Sequence, residues 1–166
     1  MKKTPFIVEI FIFAFLLTSC NRLENSARPS PVYDMGGYFF TARDGSKIYI
    51  REYIPAVNPA NTIYIMAGIT GINHKSEEDI IDILSHNANR VVVVHPRGTG
   101  YSEGVRGDTA PDDIIEDYCE IIKGDSSYLA DNKKIFLFGH SMSCAFALEA
   151  AVNLPELDGL ILVNPP

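Results

Sequence analysis

The residues of this chain best placed to do chemistry lie between Lys133 and Ser143. There the apolar run Ile135-Phe136-Leu137-Phe138 breaks into Gly139-His140-Ser141-Met142-Ser143 and then into an alanine-rich segment. A serine at such a strand-to-helix corner is placed as a nucleophile, because a sharp turn lifts its hydroxyl clear of the sheet. The same turn brings the backbone two positions either side so close that only small side chains fit, and Gly139 and Ser143 are both small. A glycine-specific backbone angle at position 143 would strain Ser143 by roughly 1 kcal/mol or more. The reaction open to such a serine is attack on an ester, thioester or amide carbonyl. It requires a histidine to take the proton, a carboxylate to orient that histidine, and N–H donors for the developing oxyanion. The Met142 amide, next after Ser141, is one such donor. The simpler alternative for Ser141 is a cap on the following helix.

The elements that must position this corner follow from hydrophobic period. Tyr38 to Ala42 and Lys47 to Tyr53 flank Asp44-Gly45 and predict an antiparallel hairpin at the start of a sheet. Four nearly continuous apolar runs follow, at Thr62 to Met66, Arg90 to Val94, Lys134 to Phe138 and Leu160 to Val163, and such runs suit parallel strands covered on both faces. Between them, Ser76 with Asp79 and Thr109 with Asp112 read as capping boxes that open helices. The helix after Ser141 is apolar almost all round, as expected of one packed in the middle of a domain. The outer edge of the Leu160 to Val163 strand is left without a later strand to pair with, which makes it an expected association site.

Bulk properties narrow the function classes. The chain has 166 residues, 46% of them apolar, and a net charge of −7. Without residues 1–19, which contain Lys2, Lys3 and Glu9, the charge becomes −8, which speaks against nucleic-acid binding. Residues 1–19 read as an export signal, with a basic start, an apolar stretch from Pro5 to Leu17, and Leu17-Thr18-Ser19-Cys20 resembling a bacterial lipoprotein cleavage box. The apolar stretch falls short of the roughly 20 residues that span a bilayer, and Glu9 interrupts it. Cys20 is thus the expected lipidation site, residues 20–35 a lipidated cysteine and tether, and 36–166 the folded domain, anchored at the bacterial cell envelope. Cys119 and Cys144 read as buried free thiols on helix faces. No metal spacing appears among the cysteines and the four histidines, and no cofactor is expected.

On the wording Gly139-His140-Ser141-Met142, the chain resembles the α/β-hydrolase superfamily, in its lipase, esterase and serine-aminopeptidase-like branch, where glycines usually stand at the places of Ser143 and Cys144. Two further segments are similar to family motifs in the expected order. His95-Pro96-Arg97-Gly98-Thr99-Gly100-Tyr101-Ser102 matches an arginine-glycine-x-glycine-x-serine loop, with His95 where aspartate is usual. Met66-Ala67-Gly68-Ile69-Thr70-Gly71 stands where the family begins its oxyanion loop, with Ala67 in place of the usual histidine. The resemblance runs from about Gly36 to the end, roughly the first half of a family domain. It implies a partial α/β-hydrolase fold, a mostly parallel sheet with an N-terminal antiparallel hairpin and helices on both faces.

For the site, the resemblance implies Ser141 as nucleophile and the Ile69 amide as a second oxyanion donor beside Met142. It places the acid and the histidine after the last strand seen here, so the expectation is an incomplete serine hydrolase whose downstream DNA encodes them. Missing its base, such a chain is expected to be nearly inert. His140 reads as a loop residue, and His74 and His86 as solvated. His95 stands at the carboxyl end of a central strand, where ligands bind in such sheets, but the resemblance puts that strand one away from the strand of Ser141. Asp112, Asp113 and Asp117 read as helix-start charges and solvated surface, and Arg97 as a structural fastener of its loop. The expected substrate is a small ester or amide. The competing reading is a lipoprotein that keeps the scaffold and binds a partner through its cleft or open sheet edge; assembly with a separate chain supplying the missing parts is a third.

Overall fold

The computed structural model describes residues 32–66, 74–85, 89–125 and 133–165. The expected oxyanion residue Ile69, the lipidation site Cys20 and the export signal lie outside these residues. Six strands, β1 (Val32–Thr41), β2 (Lys47–Pro55), β3 (Asn61–Met66), β4 (Asn89–Val94), β5 (Lys134–His140) and β6 (Gly159–Val163), form one sheet in the order β1-β2-β4-β3-β5-β6. β1 and β2 make the expected antiparallel hairpin, β2 runs antiparallel to β4, and β4, β3, β5 and β6 are mutually parallel. The first strand begins at Val32, inside the segment read as tether.

Three helices, α1 (His74–Ser85), α2 (Pro111–Gly124) and α3 (Ser143–Val152), complete the described elements. The strand period of two sends alternate side chains to opposite faces. Val92 and Val94 thus join Ile48, Ile50 and Leu137 in a core with α2 and α3, while Val91 and Val93 join Ile63, Ile65 and Ile81 of α1 on the other face. All six residues of β4 are buried: its four valines pack on both faces of the sheet, and Asn89 and Arg90 are buried with hydrogen-bond partners. β6 lies at the sheet edge and is only half-buried. Among the described residues no helix is long and apolar enough to cross a membrane.

Several local expectations change. α1 begins at His74, so Ser76 lies inside the helix and does not cap it. α2 is capped by Ala110 without a side-chain bond and opens on Pro111, whose missing N–H costs nothing in the first turn. Asp112 and Asp113 do sit exposed in that first turn. Asp117 is corrected: it is buried, not solvated, because it faces the sheet side of α2 and pairs there with Arg97. α3 is apolar over most of its surface yet leaves Leu148 and Val152 exposed.

At the amino end of the parallel strands, Arg90 is 2% exposed and sits between two carboxylates. Its Nη2 donates to Glu52 Oε1 at 2.7 Å and its Nη1 to Asp125 Oδ2 at 2.5 Å. The Tyr64 hydroxyl also donates to Asp125 and the Tyr38 hydroxyl to Glu52. Burial alone would lower the Arg90 guanidinium's pKa, but hydrogen bonds and charge from Glu52 and Asp125 outweigh it and raise the value. Burial and the bond to Asp125 push the Tyr64 hydroxyl above its ordinary range. At the opposite end, the buried Tyr118 hydroxyl of α2 reaches both Val94 O at 2.9 Å and Ile65 O at 3.1 Å, which holds β4 and β3 together just below the rim that carries the site.

Candidate active site

β5 ends between two parallel neighbours, with Gly139 opposite Met66 of β3 and Leu162 of β6, and His140 opposite Val163. Ser141 then leaves the strand with φ +56°, a left-handed conformation that costs a non-glycine residue on the order of 1 kcal/mol or more. Hydrogen bonds hold it there. Its amide donates to Val163 O at 2.9 Å, and its carbonyl accepts from Cys144 N–H at 3.0 Å, the first bond of the turn into α3. The result is an exposed serine at the carboxyl rim of a parallel sheet, where such folds bind ligands. A mid-helix or simple capping role for Ser141 is excluded by that geometry, since α3 begins two residues later and Met142 occupies its cap position.

Crowding behind the turn explains its composition. A Cβ on Gly139 would lie 2.9 Å from Ser143 O and 3.0 Å from Cys144 Cα. Because those neighbours are backbone atoms, Gly139→Ala is expected to cost about 1–3 kcal/mol through forced displacement of the turn; a urea titration that leaves the unfolding midpoint unchanged would contradict this. Ser143 carries no glycine-type angle: the left-handed residue is Ser141, and Ser143 is already the first residue of α3. The anticipated strain therefore sits on the exposed serine itself.

The other expected participants divide. The Met142 amide, next after Ser141, donates no hydrogen bond to another group among the described residues. His140 is exposed beside the turn. His95 directly follows the carboxyl end of β4, a strand separated from β5 by β3. Its imidazole is enclosed, edge-on to the Tyr49 ring at 5.1 Å, and a Cβ on Gly100 would come within 1.8 Å of its Nδ1. His95 thus packs beneath its own loop.

That loop is fastened as the sequence suggested. Arg97 Nε and Nη2 each donate to Asp117 at 2.7 Å, Nη1 donates to Ser46 Oγ at 2.9 Å, and the same guanidinium pairs with Asp44. Hydrogen bonds to Asp117 and Asp44 raise its pKa above the ordinary value. Ser102 Oγ donates to His95 O at 2.6 Å and accepts from Tyr49 N–H at 2.8 Å, which closes the loop on β2. Cys119 and Cys144 are buried free thiols, and burial pushes the Cys119 thiol upward. Sequence reasoning passed over the partners of Arg97, since Asp117 carries no local signal that separates it from Asp112 and Asp113.

Solved structures share this fold. An esterase from Exiguobacterium antarcticum is 24% identical, with a TM-score of 0.62, over 78% of this chain and 46% of its own. A monoglyceride lipase from Saccharomyces cerevisiae is 21% identical, with a TM-score of 0.66, over 84% of this chain and 46% of its own. An esterase from Pyrococcus furiosus is 19% identical, with a TM-score of 0.66, over 82% of this chain and 50% of its own. The chain thus spans about half the length of these proteins. No curated protein matches the sequence. The model of the family described as serine aminopeptidase, S33, matches residues 57–166. With its parallel sheet, its left-handed serine at the rim and that match, the chain belongs to this α/β-hydrolase family.

Proposed function

We propose that this chain carries the nucleophile of a serine hydrolase acting on a small ester or amide, held at the bacterial cell envelope by a lipid on Cys20. The observation that supports it best is Ser141, exposed at the carboxyl rim in a strained left-handed conformation that a merely structural serine has no need to adopt. In the reaction, Ser141 Oγ bonds to the carbonyl carbon while its proton passes to a base. The carbonyl oxygen gathers negative charge, which the Met142 amide would stabilise, with the Ile69 amide as the second donor that the family resemblance implies. The carbon–oxygen or carbon–nitrogen bond then breaks as the leaving group takes up the proton, and water reverses the sequence to free the acid. His95 is too enclosed by Tyr49 and Gly100 to be that base, so the reading keeps the histidine and its acid for sequence beyond β6.

Labelling tests this reading. A small fluorophosphonate is expected to modify the chain slowly at one site, Ser141, and to leave Ser141→Ala unlabelled, with the site mapped by mass spectrometry. Equal labelling of both proteins, or none of either, would favour a scaffold that binds without catalysis. The half-buried edge strand β6 supports association through that edge of the sheet.

A further inference from the structure

We infer that Ser143 and Cys144 form a clasp that sets the position of the Ser141 turn between β3 and β6. Parallel strands that stop at the same rim leave their last carbonyls without the next strand's N–H, and buried carbonyls of this kind need donors. Three such strands stop here, and the side chains of two consecutive residues reach all of them. Ser143 is 0% exposed. Its Oγ accepts from His140 N–H at 2.8 Å, and its single proton is shared between His140 O and Met66 O, each at 2.8 Å. Cys144, also 0% exposed, directs its thiol at Gly139 O, 3.3 Å away, and Val163 O, 3.4 Å away. Glycine is small enough for either place but offers neither group.

The consequence is a fixed spacing. Val163 O, which Cys144 contacts, is also the acceptor for the Ser141 amide, so the thiol steadies the atom that holds the nucleophile's backbone. Met66 O, which Ser143 contacts, belongs to the last residue of β3, from which the segment Ala67 to Gly71 leaves. Ser143 thereby ties the Ser141 turn to the start of the expected oxyanion segment. Both residues are positioning residues and touch no substrate. Their importance for chemistry rests on Ser141 being the nucleophile, but the clasp itself can be tested apart from that.

The experiment is amide hydrogen exchange, resolved by residue in NMR spectra of the full chain. In Ser143→Ala the His140 amide, which loses its acceptor, is expected to exchange roughly tenfold faster, the rate equivalent of one net buried hydrogen bond. The decisive amide is that of Ser141. Ser143 does not touch its acceptor, so an acceleration there reports movement of the turn and not a single lost bond. The His95 amide, bonded to Tyr49 O at 3.0 Å, serves as the reference for global opening and is expected to stay unchanged. In Cys144→Ala the Ser141 amide accelerates while that of His140 holds. Unchanged Ser141 protection in both variants overturns the clasp. Where Ser143→Ala fails to fold, Ser143→Cys keeps the volume with weaker hydrogen bonds and shows the same order of effects at smaller size; unchanged exchange in it overturns the clasp equally. Fluorophosphonate labelling separates the two ideas, since labelling of Ser141 without these exchange changes sinks the clasp alone, and the exchange changes without labelling sink the nucleophile alone.

Discussion

Arg90→Met is expected to lower the unfolding free energy by about 3–5 kcal/mol, the cost of breaking a buried ion pair from one side. Arg90 is 2% exposed, and it is the cation shared by Glu52 and Asp125, whose side chains are each only 15% exposed. Removing it leaves two carboxylates at the amino end of the sheet without their shared cation, although each still accepts from a tyrosine hydroxyl, Tyr38 for Glu52 and Tyr64 for Asp125. Domains of this size hold about 5–15 kcal/mol in total, so this loss is a large fraction of the whole. Urea unfolding followed by far-ultraviolet circular dichroism reads the change directly. Neutralising both acids as well, in Arg90→Met with Glu52→Gln and Asp125→Asn, is expected to recover part of the loss, because the penalty comes from uncompensated charge more than from missing attraction. A single variant within about 1 kcal/mol of the parent, the range of an exposed pair, would show that water reaches this network freely.

Asp117→Ala is expected to cost about 3 kcal/mol by the same mechanism, with a different local consequence. The Arg97 side chain, 12% exposed, would keep only Ser46 and the largely exposed Asp44 on its other edge. The guanidinium joins three pieces of chain distant in sequence: the β1–β2 turn, the loop after β4 and the second turn of α2. Its loss of Asp117 should therefore loosen the loop that encloses His95. Asp117→Asn, which keeps one acceptor and the shape, is expected to lose about half as much, since a neutral hydrogen bond replaces a charged one. Thermal unfolding of the two variants against Asp112→Ala, an exposed helix-start residue, checks the ranking. Equal effects at positions 112 and 117 would contradict the burial of Asp117.

The strength of these effects comes from residues that carry little sign of their importance in the linear sequence. Arg90 opens a valine run and could have been an ordinary strand-end charge. Only strand order makes it central: β4 lies between β2 and β3, so Glu52 and Tyr64 arrive from either side and Asp125 from the end of α2. Asp117 is one of several acids near one helix start, and its burial depends on which face of α2 meets the sheet. Ser143 could be read only as small enough; that its hydroxyl serves two strands follows from β3 and β5 ending level, as the pairing of Met66 with Gly139 shows.

What the sequence determined by itself was the set of strands and the tight turn at Ser141. Alternation and unbroken apolar runs specify strands because side-chain direction repeats every second residue whatever the strand's neighbours are. The small residues around Ser141 specify a tight turn because steric exclusion is local, and the Gly139 contacts confirm it. Tertiary structure alone decided strand order, the burial of individual charges, and which residue bears the backbone strain. Those depend on contacts between segments dozens of residues apart, such as Arg97 with Asp44 and Ser143 with Met66, whose energies have no local pattern from which to read them.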